Sequence, residues 1–294
     1  MSLKGIVIGA TGGFYKVLAD DEVFSCSIRG KLKKREEPGI LVGDRVEVKL
    51  QDSSYVIEEI EPRSTRLIRP AIANVDQVLV VTSVRHPSPN LMLTDRITVL
   101  AQVSGIKPAI CVNKVDLDCR EKADEILANY DNTGYELLRV STVSREGLTD
   151  LLSVLSGHVT VLAGPSGSGK SAIINMVCPD YNLATGSLSQ KIERGRHTTR
   201  EVKLLPLSVG GFIADAPGFS VLDLNFTDEK DVETAFPEVM RYSGECRFTG
   251  CLHDLEPDCA VKDAVSCGLI TTRRYEMYKL CLEEARTARK NMYK

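Results

Sequence analysis

Three structural classes succeed one another along this 294-residue sequence: a small all-β barrel, an α/β core and a C-terminal, mostly helical segment. Three observations predict that order. Five short β-patterned runs crowd the first 65 or so residues with no long helix among them. From about residue 70, strand-like and helix-like runs alternate. Four of the nine cysteines fall at Cys246, Cys251, Cys259 and Cys267. The expected domain boundaries are 1–68, 69–228 and 229–294.

Composition narrows the class. Hydrophobic residues make up 43% and charged residues 26%, ordinary globular usage. No apolar stretch approaches the ~20 residues of a membrane helix, and the first residues lack the apolar run of a signal peptide. A cytoplasmic protein without membrane contact is expected. In a reducing compartment the cysteines point to metal binding or plain burial before disulfides. The net charge of −3 excludes a uniformly basic nucleic-acid binder but not local basic patches. Two such patches stand out: Arg29 to Arg35, and residues 270–294, which carry seven basic against three acidic residues.

In the first segment, Ile6-Val7-Ile8, Phe14 to Leu18, Val23 to Ile28, Arg45 to Leu50 and Tyr55-Val56-Ile57 read as strands. Gly12-Gly13, Asp20-Asp21, Gly43-Asp44 and Asp52-Ser53-Ser54 read as turns. Five short strands suggest an OB-fold barrel. In the second, Val78 to Thr82 reads as a strand buried on both faces. Helix Leu91 to Val103, strand Ala109 to Val112, helix Arg120 to Asn129 and a strand at Leu138 to Val140 follow. Helix Leu148 to Leu155 and strand Val159 to Ala163 come next, then strands Val202 to Leu207 and Phe212 to Ala214. This alternation predicts a parallel sheet with helices on both faces. A final helix is expected from Thr271 to Asn291.

Gly164-Pro165-Ser166-Gly167-Ser168-Gly169-Lys170-Ser171 fits G-x-x-x-x-G-K-[ST] in full, between a strand and the helical run that opens at Ala172. Glycines let the backbone wrap phosphates with its N–H groups inward. Lys170 would reach the β- and γ-phosphate oxygens, Ser171 would ligate Mg²⁺, and the helix N-terminus adds partial positive charge. Asn113-Lys114-Val115-Asp116 follows a strand, at the edge where parallel α/β sheets bind ligands. It fits N-K-x-D, which reads guanine. The Asp116 carboxylate can accept both N1–H and the exocyclic amine of guanine. Lys114 would lie over the base and Asn113 would tie the loops together.

Asp215-Ala216-Pro217-Gly218 fits D-x-x-G, with Asp215 meeting Mg²⁺ through water and the Gly218 N–H meeting the γ-phosphate. Ser141-Thr142 suits the loop behind the guanine. Thr198 or Thr199 is the candidate switch threonine for Mg²⁺, with Thr199 preferred. The order is permuted: the base-reading elements precede the phosphate loop, the switch threonine and D-A-P-G. In the usual notation the motifs run G4-G5-G1-G2-G3. Where many GTPases place a water-orienting Gln after D-x-x-G, this chain has Phe219. His197 is the available candidate for that task, a solvent-exposed loop histidine being the other reading.

Cys246, Cys251, His253 and Cys259 have the spacing C-x₄-C-x-H-x₅-C, which suits one closed, structural Zn²⁺ site. Cys267 in place of His253, or unligated buried thiols, remain alternatives.

Taken together, the barrel, N-K-V-D, G-P-S-G-S-G-K-S, R-G-R-H-T-T-R, D-A-P-G-F and the cysteine–histidine cluster resemble the bacterial ribosome small-subunit-dependent GTPase family (RsgA/YjeQ type) over nearly the whole chain. The resemblance implies an OB-fold that binds ribosomal RNA, a circularly permuted P-loop GTPase core and a zinc-binding C-terminal domain. It implies a role in late maturation of the small ribosomal subunit, with GTP hydrolysis stimulated by that subunit; a monomer binding GTP and GDP is expected. Members often carry Val at the position of Ser168, and many GTPases have Ser-Ala at that of Ser141-Thr142. Residues 1–68 hold 11 basic and 11 acidic residues, so an RNA face there needs segregated charge, with Arg29 to Arg35 the candidate strip.

Overall fold

The computed structural model describes residues 2–28, 39–51, 53–68, 70–117, 120–181, 202–219 and 229–292. The expected basic strip Arg29 to Arg35 lies outside them, as do His197, Thr198 and Thr199.

The chain begins with β1 (Ser2–Thr11), β2 (Phe14–Ala19), β3 (Glu22–Ile28), β4 (Arg45–Gln51) and β5 (Ser54–Ile60). They close into a barrel in the order β1-β2-β3-β5-β4, with β3 and β5 parallel and the other neighbours antiparallel. Alternation sends Val7, Val17, Cys26, Val46, Val48 and Ile57 inward to one apolar core. The barrel floor is polar but satisfied. Fully buried Asp44 accepts from Arg63 Nε at 2.7 Å, Arg63 Nη2 at 2.8 Å and the Leu41 N–H at 2.7 Å. The segment leaving the barrel is fastened to it through Asn74, whose Nδ2 donates to the Gly43 carbonyl at 2.9 Å. A short pair, β6 (Arg66–Leu67) and β7 (Ile72–Ala73), lies in that segment.

Next come β8 (Gln77–Ser83), α1 (Leu91–Val103), β9 (Lys107–Asn113), α2 (Arg120–Leu127), β10 (Glu136–Val140), α3 (Leu148–Leu155), β11 (Val159–Ala163), α4 (Lys170–Val177), β12 (Lys203–Pro206) and β13 (Phe212–Phe219). Their six strands form one sheet in the order β10-β9-β8-β11-β13-β12. All seven residues of β8 are buried, as its unbroken apolar run requires. The expected parallel sheet carries one antiparallel edge: β12 pairs antiparallel to β13. Only Leu207 to Gly211 joins them, turned by Gly210 N–H to Leu207 O and Leu207 N–H to Gly211 O, each 3.0 Å. A parallel crossover needs a dozen or more residues. The expected helix to Asn129 stops at Leu127, and the chain tightens into a 3₁₀ turn over Ala128–Tyr130.

The rest is helical: α5 (Glu229–Thr234), α6 (Pro237–Ser243), α7 (Ala260–Ser266) and α8 (Thr272–Met292). Among the described residues no helix is long and apolar enough to cross a membrane.

The chain divides into two compact units. The first comprises Met1–Val78, Leu148–Ala163 and Lys170–Val221; the second comprises Leu79–Gly147, Gly164–Gly169 and Leu222–Lys294. Within the first, Asp76 and Gln77 bind strand β11. Asp76 Oδ1 accepts the Val159 N–H at 3.0 Å, and the Thr160 hydroxyl donates to Gln77 Oε1 at 2.8 Å. Within the second, α8 inserts a fully buried arginine. Arg274 Nε donates to Glu238 Oε1 at 2.7 Å, while its Nη1 faces Asp95 Oδ1 and the Thr98 hydroxyl at 3.4 Å each. Its guanidinium stands 4.8 Å from the Phe236 ring centroid. Arg273 closes on the other oxygen of Asp95 at 2.6 Å, and the Tyr130 hydroxyl donates to Asp95 Oδ1 at 2.8 Å. Part of the basic tail read from the sequence is therefore neutralised within the fold. Arg273 and Arg274 are spent on buried carboxylates, and Arg286 binds Asp254 at 2.9 Å.

Arg274→Met leaves the Asp95 and Glu238 carboxylates buried against too little positive charge. The expected loss is about 3–5 kcal/mol. Hydrogen exchange across α7 and α8, together with thermal unfolding, measures it; unchanged protection would show that the ion pairs contribute no net stability.

Candidate nucleotide site and metal centre

The sequence-predicted nucleotide residues of the second unit lie on strand ends. β9 ends at fully buried Asn113 and β10 at Val140, immediately before fully buried Ser141. The phosphate loop leaves β11 after Ala163 and continues into α4 at Lys170. Parallel strands present their C-terminal ends together, so loops distant in sequence meet there.

They meet through named hydrogen bonds. Asn113 Nδ2 donates to the Ser168 carbonyl at 2.9 Å. The Lys114 ammonium donates to the Gly167 carbonyl at 2.7 Å and also to the His86 carbonyl. Two glycines make this approach possible. Gly164 has φ +122°, and a Cβ there would strike the Val81 carbonyl oxygen. Gly169 has φ +103°, and a Cβ there would strike Asn113 Nδ2.

Asp116 is held before any base arrives. The Ser141 hydroxyl donates to Asp116 Oδ1 at 2.5 Å and accepts the backbone N–H groups of Val143 at 3.2 Å and Ser144 at 3.0 Å. Thr142 beside it is half-buried. In the phosphate loop Ser166 and Gly167 are exposed, Pro165 is half-buried and Ser168 is fully buried.

The remaining predicted residues belong to the first unit. Lys170 and Ala172 are half-buried and Ser171 is exposed, all on the first turn of α4. Asp215 lies in β13, which runs on through Gly218 to Phe219 rather than stopping at Ala214. The Tyr181 hydroxyl donates to Asp215 Oδ2 at 3.4 Å. Burial holds the Asp215 carboxyl above its ordinary range, partly offset by Tyr181 and by the charge of Lys203.

The sequence reading missed three groups: the His86 carbonyl, the Ser141 hydroxyl and Tyr181. A backbone carbonyl has no sequence signature. Ser141 was legible as a residue but its partner was not.

The candidate metal site lies in the second unit. The ligand atoms of Cys246, Cys251, His253 and Cys259 all fall within 4.8 Å of one another. Cys246 Sγ and Cys259 Sγ are 3.8 Å apart, and His253 Nδ1 stands 3.5 Å from the first and 3.4 Å from the second. A tetrahedral ion with bonds of about 2.3 Å to sulfur and about 2.0 Å to nitrogen needs S···S edges near ~3.8 Å and S···N edges near ~3.5 Å. The cluster fits. Exposed Cys267, at the end of α7, is outside it. Burial pushes the Cys251 thiol up to about 12 and raises Cys259, while it lowers the His253 imidazole. Thiolates in such a place need a cation to offset their charge. The loop backbone is already fixed. Glu256 accepts the N–H groups of Leu252 and Asp254 at 3.0 Å each, and Tyr275 and Tyr278 donate to the His253 and Leu252 carbonyls at 2.6 and 3.1 Å.

A closed β-barrel, strand-end phosphate and base loops in inverted order, and a Cys₃His centre define a circularly permuted P-loop GTPase. Comparison with known proteins agrees. The RsgA GTPase family model matches residues 60–225, and the RsgA N-terminal domain model matches residues 4–56. The chain belongs to the RsgA GTPase family and is a hydrolase. A relative from Caldanaerobacter subterraneus subsp. tengcongensis, named small ribosomal subunit biogenesis GTPase RsgA, is 40% identical over 99% of both chains. One of the same name from Moorella thermoacetica is 43% identical over 96% of this chain and 97% of its own. The crystal structure of YjeQ from Thermotoga maritima superposes with a TM-score of 0.82 at 31% identity, covering 97% of this chain and 99% of that one. The structure of YloQ, a circularly permuted GTPase, does so at 0.82 and 35%, covering 98% and 96%.

Ser141→Ala removes a charge-assisted hydrogen bond worth about 1.5–3 kcal/mol. Guanine-nucleotide affinity, measured by titration calorimetry, is expected to fall roughly tenfold or more. Unchanged affinity would mean that Asp116 needs no support.

Proposed function

We propose that this chain hydrolyses GTP in the late maturation of the small ribosomal subunit, and that the subunit stimulates hydrolysis. The observation that carries the reading is the joined frame of Asn113, Lys114, Asp116 and Ser141 with the phosphate-loop carbonyls. It orients a guanine-reading carboxylate relative to the loop that would hold the phosphates. The printed name of the relatives supplies the ribosomal role.

In this reading Asp116 accepts the guanine N1–H and amine, with Lys114 against the base and Ser141-Thr142 behind it. The phosphate-loop residues Gly164 to Gly169 turn N–H groups on the phosphates, and Ala172 continues the helix start. Lys170 neutralises charge that develops on the β- and γ-phosphate oxygens. Ser171, Thr199 and Asp215, the last through water, would hold Mg²⁺, whose chemistry is charge neutralisation between the β- and γ-phosphates. The Gly218 N–H meets the γ-phosphate. His197 is the proposed water-orienting group, since Phe219 has no polar atom to do it. The four C-terminal ligands would hold one structural Zn²⁺, with no open position for catalysis. Boundaries at 68/69 and 228/229, an rRNA-binding barrel, a monomeric state and a cytoplasmic location complete the proposal.

The direct test is GTP turnover with and without purified small ribosomal subunits, with ATP as control. Slow basal turnover and strong, GTP-selective stimulation are expected. Slow, unstimulated turnover with tight GTP binding would overturn the proposal. It would favour a nucleotide-gated binding module, the second reading that Phe219 supports. Asp116→Asn tests base recognition: preference is expected to move from guanine to xanthine nucleotides, and unchanged GTP affinity removes Asp116 from that role.

A further inference from the structure

Coordination through His253 Nδ1 leaves the other ring nitrogen with a proton to place. Nδ1 is the atom that faces the thiols, so the proton of a metal-bound ring resides on Nε2. Nε2 is buried and has no hydrogen-bond partner. Glu233 Oε2 stands 3.7 Å from it. The other carboxylates of the metal loop are committed elsewhere: Glu256 to two backbone N–H groups, Asp254 to Arg286 at 2.9 Å and Asp258 to Arg247.

We propose that Glu233 is the outer carboxylate of this metal centre, accepting the Nε2–H of metal-bound His253 and tying helix α5 to occupancy of the site. The proposal rests on the reading of Cys246, Cys251, His253 and Cys259 as a zinc site. Glu233 does not touch the ion; it is a positioning residue. Its contact fixes the imidazole tautomer and the ring plane, and makes the ligating nitrogen more basic. A second tie runs the same way. Arg286 on α8 reaches both Glu229 on α5, at 3.5 Å, and Asp254 beside the ligand His253. Helix α5 is therefore held to the metal loop at each end of its length, once through the ligand itself. It is also the first described helix after Asp215–Gly218 in the sequence. Loss of the metal removes the fixed Nε2–H and with it one of the two ties.

The test uses the full chain, as wild type, Glu233→Gln and Glu233→Leu. Gln keeps an acceptor oxygen; Leu keeps helix propensity and volume without one. Zinc affinity is read by competition with a chromophoric chelator, and the ligand field by the visible spectrum of the Co²⁺-substituted protein. Glu233→Leu is expected to weaken zinc binding ~10–100-fold and to shift the Co²⁺ bands. Glu233→Gln is expected to hold zinc as the wild type does. Hydrogen exchange in α5 is expected to rise on zinc removal and in zinc-loaded Glu233→Leu, with α8 still protected. Wild-type affinity and spectrum in Glu233→Leu, or equal loss in both variants, overturns the proposal while the zinc reading stands. A wild-type protein that binds no zinc overturns both.

Discussion

A single buried cation organises the second compact unit. Arg274 takes all its charge compensation from Asp95 on α1 and Glu238 on α6, and stacks on Phe236. Three segments far apart in sequence must be in place for those charges to be neutral. Burying ions is costly, so a partial set is worse than none. The network stabilises one arrangement by penalising every other: α8 displaced by a turn would strand two carboxylates in an apolar core. Tyr130 and Arg273 complete Asp95 and raise that penalty. The surrounding apolar cluster of Val232, Phe236, Val239, Tyr278 and Leu282 supplies the bulk of the burial, which is less directional.

On that frame the two specialised centres are prepared in different ways. The nucleotide frame is prepared by polar contacts between loops. Asn113 and Lys114 spend their donors on phosphate-loop carbonyls, and Ser141 holds Asp116 by one oxygen. Glycine at 164 and 169 permits the backbone approach. The candidate metal loop is braced from outside by tyrosine hydroxyls and the Glu256 carboxylate, and its four potential ligand atoms lie within 4.8 Å of one another. In both places the ordering cost is met during folding rather than on binding. Permutation does not disturb this, because the frame depends on which strand ends adjoin, not on the order in which the chain visits them.

Most of the architecture was legible because it follows from local pattern. The period-two runs of the barrel, the unbroken apolar run of β8 and the capped helix Leu91–Val103 each carry their structure within a few residues. Chemistry-bearing motifs were legible for a related reason: G-x-x-x-x-G-K-S and C-x₄-C-x-H-x₅-C bring their functional atoms together within one short segment. Two readings needed correction, one through a short connection and the other through a remote partner. The β12 strand reads like its neighbours, yet a five-residue connection forces it antiparallel. The C-terminal arginines read as surface charge, yet α8 turns Arg274 into the core.

What the sequence alone determined, then, is the succession of barrel, α/β core and helical segment, the motifs and their inverted order, and a cysteine–histidine cluster with metal-site spacing. Tertiary structure decided the pairings: Arg274 with Asp95 and Glu238, Lys114 with the His86 and Gly167 carbonyls, Ser141 with Asp116, and Glu233 behind His253. The physical reason is range. Helix, strand and turn preferences act over a few residues, and so does motif spacing. A buried charge or an unpaired donor takes whichever partner the packed chain brings within reach, and only the closed fold sets that distance.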